Sequence, residues 1–106
     1  MNHAAIALSC GEPAGVGPEL AALAWQALKD ELTFFWIGDP RHLPKATPVV
    51  EIDHPSQAAQ ARRKGLPVLR HAFAADAVPG QPDPANAQSV IDVIARAVAL
   101  VQDGQA

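Results

Sequence analysis

Three glycines, at positions 11, 15 and 17, are the residues whose type and spacing could support chemistry. They lie between a short apolar run and a segment with helical periodicity, and so belong to a loop that joins a strand to a helix. Glycine permits positive φ angles and a close approach of ligand to the backbone, and the free N–H groups of a helix start attract anions. The loop is therefore a candidate phosphate or carboxylate corner, although the same glycines could simply shape a turn. It matches neither the dinucleotide fingerprint G-x-G-x-x-G nor a Walker A loop.

Two other residues near these glycines have reactive side chains. Glu12 lies inside the loop and could contact a ligand, but an outward carboxylate or an acceptor that stabilises the loop is the simpler interpretation. Cys10 is the only cysteine in the sequence. Since no partner base is evident, a small buried side chain is favoured over a nucleophile.

The four histidines do not form a metal-binding pattern. No two of them are three or four residues apart, so we expect ordinary surface or partly buried histidines at His3, His42, His54 and His71. The basic cluster Arg62-Arg63-Lys64 is most simply a solvated helix end. Trp25 and Trp36 are interpreted as core or interface residues.

The elements around the loop are those of a β-α-β unit. Residues 4–9 have the length and composition of a buried strand, and 33–37 of a second strand that stops at Gly38-Asp39-Pro40. Between them, Pro18 and Glu19 suit the start of a helix reaching to about Leu32. We expect a parallel strand pair with a right-handed crossover. The predicted apolar face of this helix comprises Leu20, Leu23, Ala24, Ala27, Leu28 and Leu32.

The rest of the chain has one clear element. Asp83-Pro84 is typical of a helix start, and the helix is predicted to reach about Asp103, with an apolar stripe of Val90, Ile91, Ile94, Val98 and Val101. In the weaker middle, 49–52 and 68–69 could be short strands and 56–64 a helical turn or two. Such a last helix normally packs on a further strand, so the sequence is interpreted as interrupted.

Length and composition favour one small globular domain, without an internal boundary, over residues 1–106. The chain is 49% hydrophobic and 18% charged, with a net charge of −3 and no basic stripe, which argues against a nucleic-acid partner. We expect neither a signal peptide nor a membrane span, and a cytoplasmic location.

The segment Gly11-Glu12-Pro13-Ala14-Gly15-Val16-Gly17-Pro18-Glu19 resembles the opening signature of the 4-hydroxythreonine-4-phosphate dehydrogenase family. The Ile37-Gly38-Asp39 strand end, Pro79-Gly80-Gln81 and the helix carrying Ile94-Ala95-Arg96-Ala97 fall in that family's order and approximate spacing. The resemblance covers almost the whole chain.

The resemblance implies an α/β fold, a partial three-layer α/β/α domain like that of isocitrate and isopropylmalate dehydrogenases. It also implies a homodimeric parent enzyme that oxidises and decarboxylates 4-phosphohydroxy-L-threonine in pyridoxal phosphate synthesis. That reaction uses NAD and a divalent metal such as Mg, Zn or Co. The resemblance offers only cleft-lining residues here, namely Gly11, Glu12, Pro13, Gly15, Val16 and Gly17, and no catalytic or metal-binding residue.

Two alternatives stay open at the level of sequence. A family relative could act on another phosphorylated hydroxy acid or on a cis-dihydrodiol, or the chain could be a non-catalytic remnant or small binding module. Since the family's metal and substrate ligands lie beyond this amino-terminal fragment, we expect no turnover and no tight metal binding by the chain alone. Both predicted helices need a larger sheet, so apolar surface should stay exposed, and we expect self-association or marginal stability.

Overall fold

The computed structural model describes residues 4–106 and contains a four-stranded sheet in which every neighbouring pair is parallel. The strands are β1 (Ile6–Ser9), β2 (Phe34–Gly38), β3 (Val49–Ile52) and β4 (Leu66–Arg70), in the spatial order β1-β2-β4-β3. The expected parallel pairing of the first two strands is confirmed, and so is the α/β class.

Three helices connect and flank these strands: α1 (Gly17–Leu28), α2 (Ala58–Ala61) and α3 (Ala87–Gln102). Single 3-10 turns cover Pro40–His42, Pro55–Gln57 and Pro84–Asn86. Among the residues described, no helix has the length and apolar character needed to cross a membrane. The middle of the chain, where the sequence signal for secondary structure is weak, thus contains two strands and one turn of α-helix. They lie inside or around the segments that the sequence indicated.

The core is centred on β2 and β4. All five residues of β2 are buried, and so are the first four of β4. Phe35, Trp36 and Val68 are among the side chains with no exposed surface. A strand with neighbours on both sides and helices above it is apolar along its whole length, which explains the continuous apolar sequence of β2.

The predicted apolar face of α1 was wrong at most of its positions, although Ala24 packs partly against the core. Its buried residues are Pro18, Ala21 and Trp25, whereas Leu20 and Leu23 are exposed. Apolar residues occur on nearly every side of this helix, so periodicity does not identify the buried side. The buried side is instead determined by the large indole of Trp25, which fills the space beside α2. Its Nε1 donates to the Arg62 carbonyl at 2.9 Å. The helix also ends at Leu28, four residues before the predicted end at Leu32, which is itself exposed.

The start of α3 agrees with the prediction, because Asp83 accepts a hydrogen bond from the Ala85 N–H and Pro84 occupies the first turn. The predicted stripe was only partly correct. Val93 is the buried residue of this helix and Val90 packs partly against the core, while Ile91, Ile94, Val98 and Val101 are exposed.

The expectation of a buried first strand was also wrong. Ile6 is 54% exposed and Leu8 is 37% exposed. Within the described part of the chain, β1 has a strand neighbour on one side only, so it forms an edge of the sheet.

Candidate functional site

The candidate site lies where the carboxyl ends of parallel strands meet. The glycine loop, residues 11–16, follows β1, Gly38-Asp39 follows β2, and His71 follows β4. The His71 N–H donates to the Gly38 carbonyl at 2.9 Å, which holds the last two segments together. This edge of an open parallel sheet is where ligands usually bind.

The glycine loop is held in a compact shape by Glu12. Its Oε1 accepts a hydrogen bond from the Ala14 N–H at 3.1 Å, and its carbonyl accepts one from the Gly15 N–H at 2.9 Å. Gly11 has a φ of +63°, a left-handed conformation that favours glycine. Glu12 therefore acts as an acceptor that stabilises the loop.

The other two glycines serve different purposes. Neither Gly15 nor Gly17 has a positive φ, contrary to one of the two roles considered for them. A Cβ on Gly17 would lie 2.7 Å from the Cys10 carbonyl oxygen, so Gly17 is needed for close packing of the helix start on the end of β1. A Cβ on Gly15 would meet only the Glu12 carbonyl, at 3.2 Å. Gly17 is thus architectural, and Gly15 remains a candidate for ligand approach.

The six predicted lining residues differ in accessibility. Glu12, Gly15 and Val16 are exposed, Gly11 and Gly17 are half-buried, and Pro13 is buried on the underside of the loop. Beyond them, the N–H groups of Gly17 and Glu19 have no acceptor within residues 4–106. The loop and the first turn of α1 therefore present one exposed carboxylate and N–H groups without an acceptor among residues 4–106, which suit a ligand with both hydroxyl and acceptor groups.

The floor under the loop is apolar. Cys10 is 2% exposed, and a Cβ on Gly38 would come within 3 Å of both Cys10 and Trp36. Burial raises the pKa of the Cys10 thiol to about 11, and the nearby Glu12 charge adds to the rise. A neutral buried thiol is a poor nucleophile, so the prediction of a packing role for Cys10 is confirmed.

A polar cluster beside the loop escaped sequence reasoning. Asp39 is 4% exposed and accepts hydrogen bonds from the Arg41 N–H at 3.2 Å and the Phe73 N–H at 3.0 Å. Its Oδ2 also lies 3.2 Å from Nε of Arg41, whose other nitrogens contact the Phe73 carbonyl and Asp76. The sequence indicates this cluster only through the acidic residue in Gly38-Asp39-Pro40, a segment that by itself predicts the end of a strand.

The same cluster anchors the segment that leads to α3. His42 lies 2.9 Å from the Ala75 carbonyl through Nε2, and the buried Asn86 accepts from the Ala75 N–H at 2.9 Å. Further along, the Gly80 N–H donates to the Ala14 carbonyl at 2.9 Å. The 73–81 segment is therefore fixed at both ends and borders the glycine loop.

The residues described do not form a metal centre. Among residues 4–106, no group of three or more His, Cys, Asp or Glu side chains could hold a metal ion. His54 caps the turn at 55–57 through Nδ1, and His71 packs edge-on against Phe73. His3 lies outside the described residues. The divalent metal implied by the resemblance therefore does not fit the donor set seen here.

The loop is open rather than enclosed. Two concavities, of about 930 and 680 Å³, lie elsewhere, one near Thr33, His54 and Gly104 and the other between α1 and the 44–48 segment. The glycine loop is thus an exposed surface at the carboxyl edge of a parallel α/β unit.

Comparison with known proteins agrees with this arrangement. No family model matches the chain. It is 56% identical over 103 residues to a 4-hydroxythreonine-4-phosphate dehydrogenase of Roseobacter denitrificans, covering 97% of the chain and 32% of the relative. It is 54% identical over 101 residues to the enzyme of the same name from Paracoccus denitrificans, covering 95% of the chain and 30% of the relative.

Solved structures show the same fold. A 4-hydroxythreonine-4-phosphate dehydrogenase from Burkholderia phymatum superposes with a TM-score of 0.81 at 23% identity, over 99% of the chain and 34% of that structure. One from Klebsiella pneumoniae gives 0.76 at 24% identity, over 97% and 35%. The chain belongs to the 4-hydroxythreonine-4-phosphate dehydrogenase family and corresponds to its amino-terminal part. It spans about a third of the length of the curated relatives it matches.

Proposed function

We propose that this chain forms the amino-terminal part of an enzyme that oxidises 4-phosphohydroxy-L-threonine with NAD and then decarboxylates the product, a step towards pyridoxal phosphate. The observation that carries the proposal is the 56% identity, across nearly the whole chain, to a relative named for that substrate. In such an enzyme, bound NAD accepts the hydride.

Within that enzyme, the glycine loop forms one border of the cleft for substrate and NAD. Supporting this role are its place at the carboxyl edge of the sheet, the exposed Gly15, the exposed carboxylate of Glu12, and N–H groups at the start of α1 that have no acceptor within residues 4–106. Oε1 of Glu12 is engaged by Ala14, which fixes the carboxylate so that its second oxygen can accept from a ligand hydroxyl.

The chain alone supplies only this wall. In the proposed enzyme, the metal ligands come from other parts of the family polypeptide, and residues 4–106 contain no group of three or more His, Cys, Asp or Glu side chains that could hold the ion. We therefore propose that the chain by itself neither forms NADH nor binds a catalytic metal tightly. The homodimeric state and cytoplasmic location of the parent enzyme stay predictions.

The substrate is tested in a joined protein, in which this chain is followed by the two thirds of the Roseobacter denitrificans relative that it does not match. Purified joined protein is assayed for NADH with a divalent metal and three substrates: 4-phosphohydroxy-L-threonine, another phosphorylated hydroxy acid and an aromatic cis-dihydrodiol. We expect the first to have the highest kcat/KM. A preference for either of the others reassigns the substrate, and a folded but inert protein favours a non-catalytic module.

The role of the loop is tested by Gly15→Ala in the same joined protein. Because a Cβ there meets little, the fold should be retained while the cleft narrows. We expect a rise in KM or a fall in kcat of about tenfold, normalised to folded enzyme. Unaltered constants would reduce the loop to architecture. Gly17→Ala is unsuitable for this test because its Cβ collides with the Cys10 carbonyl.

A further inference from the structure

The segment Pro79-Gly80-Gln81 forms a tight turn that borders the glycine loop. The Gln81 N–H donates to the Val78 carbonyl at 2.9 Å, and these two residues form an isolated antiparallel bridge. A proline at the second position and a glycine with a φ of +76° at the third are typical of a type II turn. Since the bond that closes the turn uses the Gln81 N–H, the Gly80 N–H is left to bond elsewhere.

The Gly80 N–H bonds to the middle of the glycine loop. It donates to the Ala14 carbonyl at 2.9 Å. The other hydrogen bonds of this loop are local, because the N–H groups of Ala14 and Gly15 both donate to Glu12. Among residues 4–106, Gly80 is thus the one residue distant in sequence that hydrogen-bonds to residues 11–16. The turn therefore fixes the loop relative to the rest of the fold.

Buried polar side chains in turn fix the position of the turn. The carboxylate of Asp39 accepts from the Phe73 N–H at 3.0 Å, and Arg41 donates to the Phe73 carbonyl at 2.6 Å. The side chain of Asn86, a residue 1% exposed, accepts from the Ala75 N–H at 2.9 Å. This last bond joins the two ends of the 75–86 segment, which carries the turn. Gly80 consequently reaches the glycine loop from a fixed point.

We propose that Gly80 is a positioning residue of the cleft: through Ala14 it holds the glycine loop in the conformation that binds substrate and NAD. This inference rests on the proposed function, in which the loop borders the cleft. Gly80 acts through the loop and not by contact with a ligand. Its positive φ is readily adopted by glycine and, among other residues, chiefly by asparagine and aspartate. A side chain that disfavours this φ opens the turn and releases the Ala14 carbonyl.

Release of the loop weakens binding and spares the chemistry. If the loop is in the binding conformation in about a fifth of the molecules, the apparent dissociation constant rises about fivefold. The steps after binding are unchanged, because the loop is in that conformation once ligand is bound. The expected signature is thus a raised KM with a nearly constant kcat. A purely structural defect would instead lower the amount of active enzyme and leave KM as it was.

Gly80→Val in the joined protein is the main test. A β-branched residue is unfavourable at positive φ, and the added Cβ meets no atom within 4 Å, so the change strains the turn without a collision at the Cβ. We expect the KM for 4-phosphohydroxy-L-threonine or for NAD to rise by at least about fivefold, with kcat changed by less than about twofold. Gly80→Asn keeps the left-handed conformation and should have a KM within about twofold of that of the unsubstituted joined protein.

Gly104→Val is the matched control. Gly104 has a φ of +75°, and a Cβ there likewise meets no atom within 4 Å, but the residue follows α3 and makes no hydrogen bond to the glycine loop. The variant carries the same kind of backbone strain, so it should lose similar stability and keep both kinetic constants within about twofold. Equal rises of KM in Gly80→Val and Gly104→Val, or an unchanged KM in folded Gly80→Val, overturn the inference.

Hydrogen exchange in the chain alone gives a readout that does not depend on activity. The Gly15 N–H, which donates to the Glu12 carbonyl, should exchange at least about fivefold faster in Gly80→Val and at the unsubstituted chain's rate in Gly104→Val and Gly80→Asn. Unaltered exchange in Gly80→Val also overturns the inference. If valine prevents folding, Gly80→Ala strains the same φ with a smaller side chain and is judged by the same outcomes. An inert joined protein contradicts the proposed function, and exchange at Gly15 then decides whether Gly80 holds the loop.

Discussion

The middle of the sheet differs in burial from its β1 edge and the exposed side of α3, although both regions are built from the same residue types. Phe35, Trp36 and Val68 have no exposed surface, whereas Ile6, Ile94 and Val98 are about half exposed. β2 and β4 have strands on both sides, but β1 has one neighbour among the described strands. Burial in this chain is therefore decided by which neighbours each element has among the described residues.

The largest expected effect concerns the polar cluster that closes the middle of the sheet. Asp39→Ala removes a buried carboxylate and leaves the Phe73 N–H without its acceptor, so we expect a loss of about 3 kcal/mol in the free energy of unfolding. Urea denaturation measures this loss. If the variant shows no unfolding transition at all, the loss is taken to be at least about 3 kcal/mol. Asp76→Ala is the control, because that side chain is 83% exposed and should cost at most about 0.5 kcal/mol. Equal losses would show that the cluster does not stabilise the centre.

A buried and an exposed valine can be compared within one helix, α3. Val93→Ala removes two methyl groups from a fully buried site and should cost about 2 kcal/mol in the chain alone. Val98→Ala makes the same chemical change at a site that is 49% exposed and should cost less than about 0.5 kcal/mol. Thermal and urea unfolding of both variants measure the difference. A Val98→Ala loss as large as that of Val93→Ala would mean that the exposed side of α3 is already covered.

The glycine loop adds a smaller effect at its junction with the sheet. Gly17→Ala places a Cβ 2.7 Å from the Cys10 carbonyl and should destabilise the chain by about 1 to 2 kcal/mol. Gly15→Ala, whose nearest contact is 3.2 Å, should change stability by less than about 0.5 kcal/mol. The free energies of unfolding of the two variants test whether the loss is larger for Gly17→Ala than for Gly15→Ala. The reverse order would contradict the architectural role assigned to Gly17.

A pH dependence from Cys10 has no effect at neutral pH and appears only in alkaline solution. Its pKa is raised from 9.0 to about 11 in the folded chain, so the folded state holds the thiol proton where the unfolded state has lost it. The resulting stabilisation is complete below pH 9 and is lost as the pH rises from about 9 to 11. Unfolding measured across that range should show a decline that Cys10→Ala reduces. An identical decline in the variant would mean that Cys10 does not titrate in this way.

Much of the fold could be predicted from local pattern. The loop and helix starts were marked by glycine and by Asp83-Pro84, and the strands at 34–38 and 49–52 by β-branched and aromatic residues. These signals act within a few residues, so one sequence suffices to read them. The membership of the family followed from the nine residues around Gly11 to Glu19, and the curated relatives confirm it.

The features of the fold that the sequence does not predict depend on contacts between residues that are far apart in the chain. The buried side of α1 is set by Trp25 against Arg62, 37 residues away, and not by the leucines that made the periodic pattern. In the same way, Asp39 meets Phe73 across 34 residues. The exposure of Ile6 reflects its place at a sheet edge, which residues 4–9 alone do not reveal.

NADH formation with 4-phosphohydroxy-L-threonine, NAD and a divalent metal is measured for the chain alone and for the joined protein at equal concentration. We expect no NADH above blank from the chain and sustained turnover from the joined protein, because the glycine loop then has its facing wall and metal ligands. Turnover by the rigorously purified chain alone, or none by a joined protein with cooperative unfolding, would contradict the proposed function.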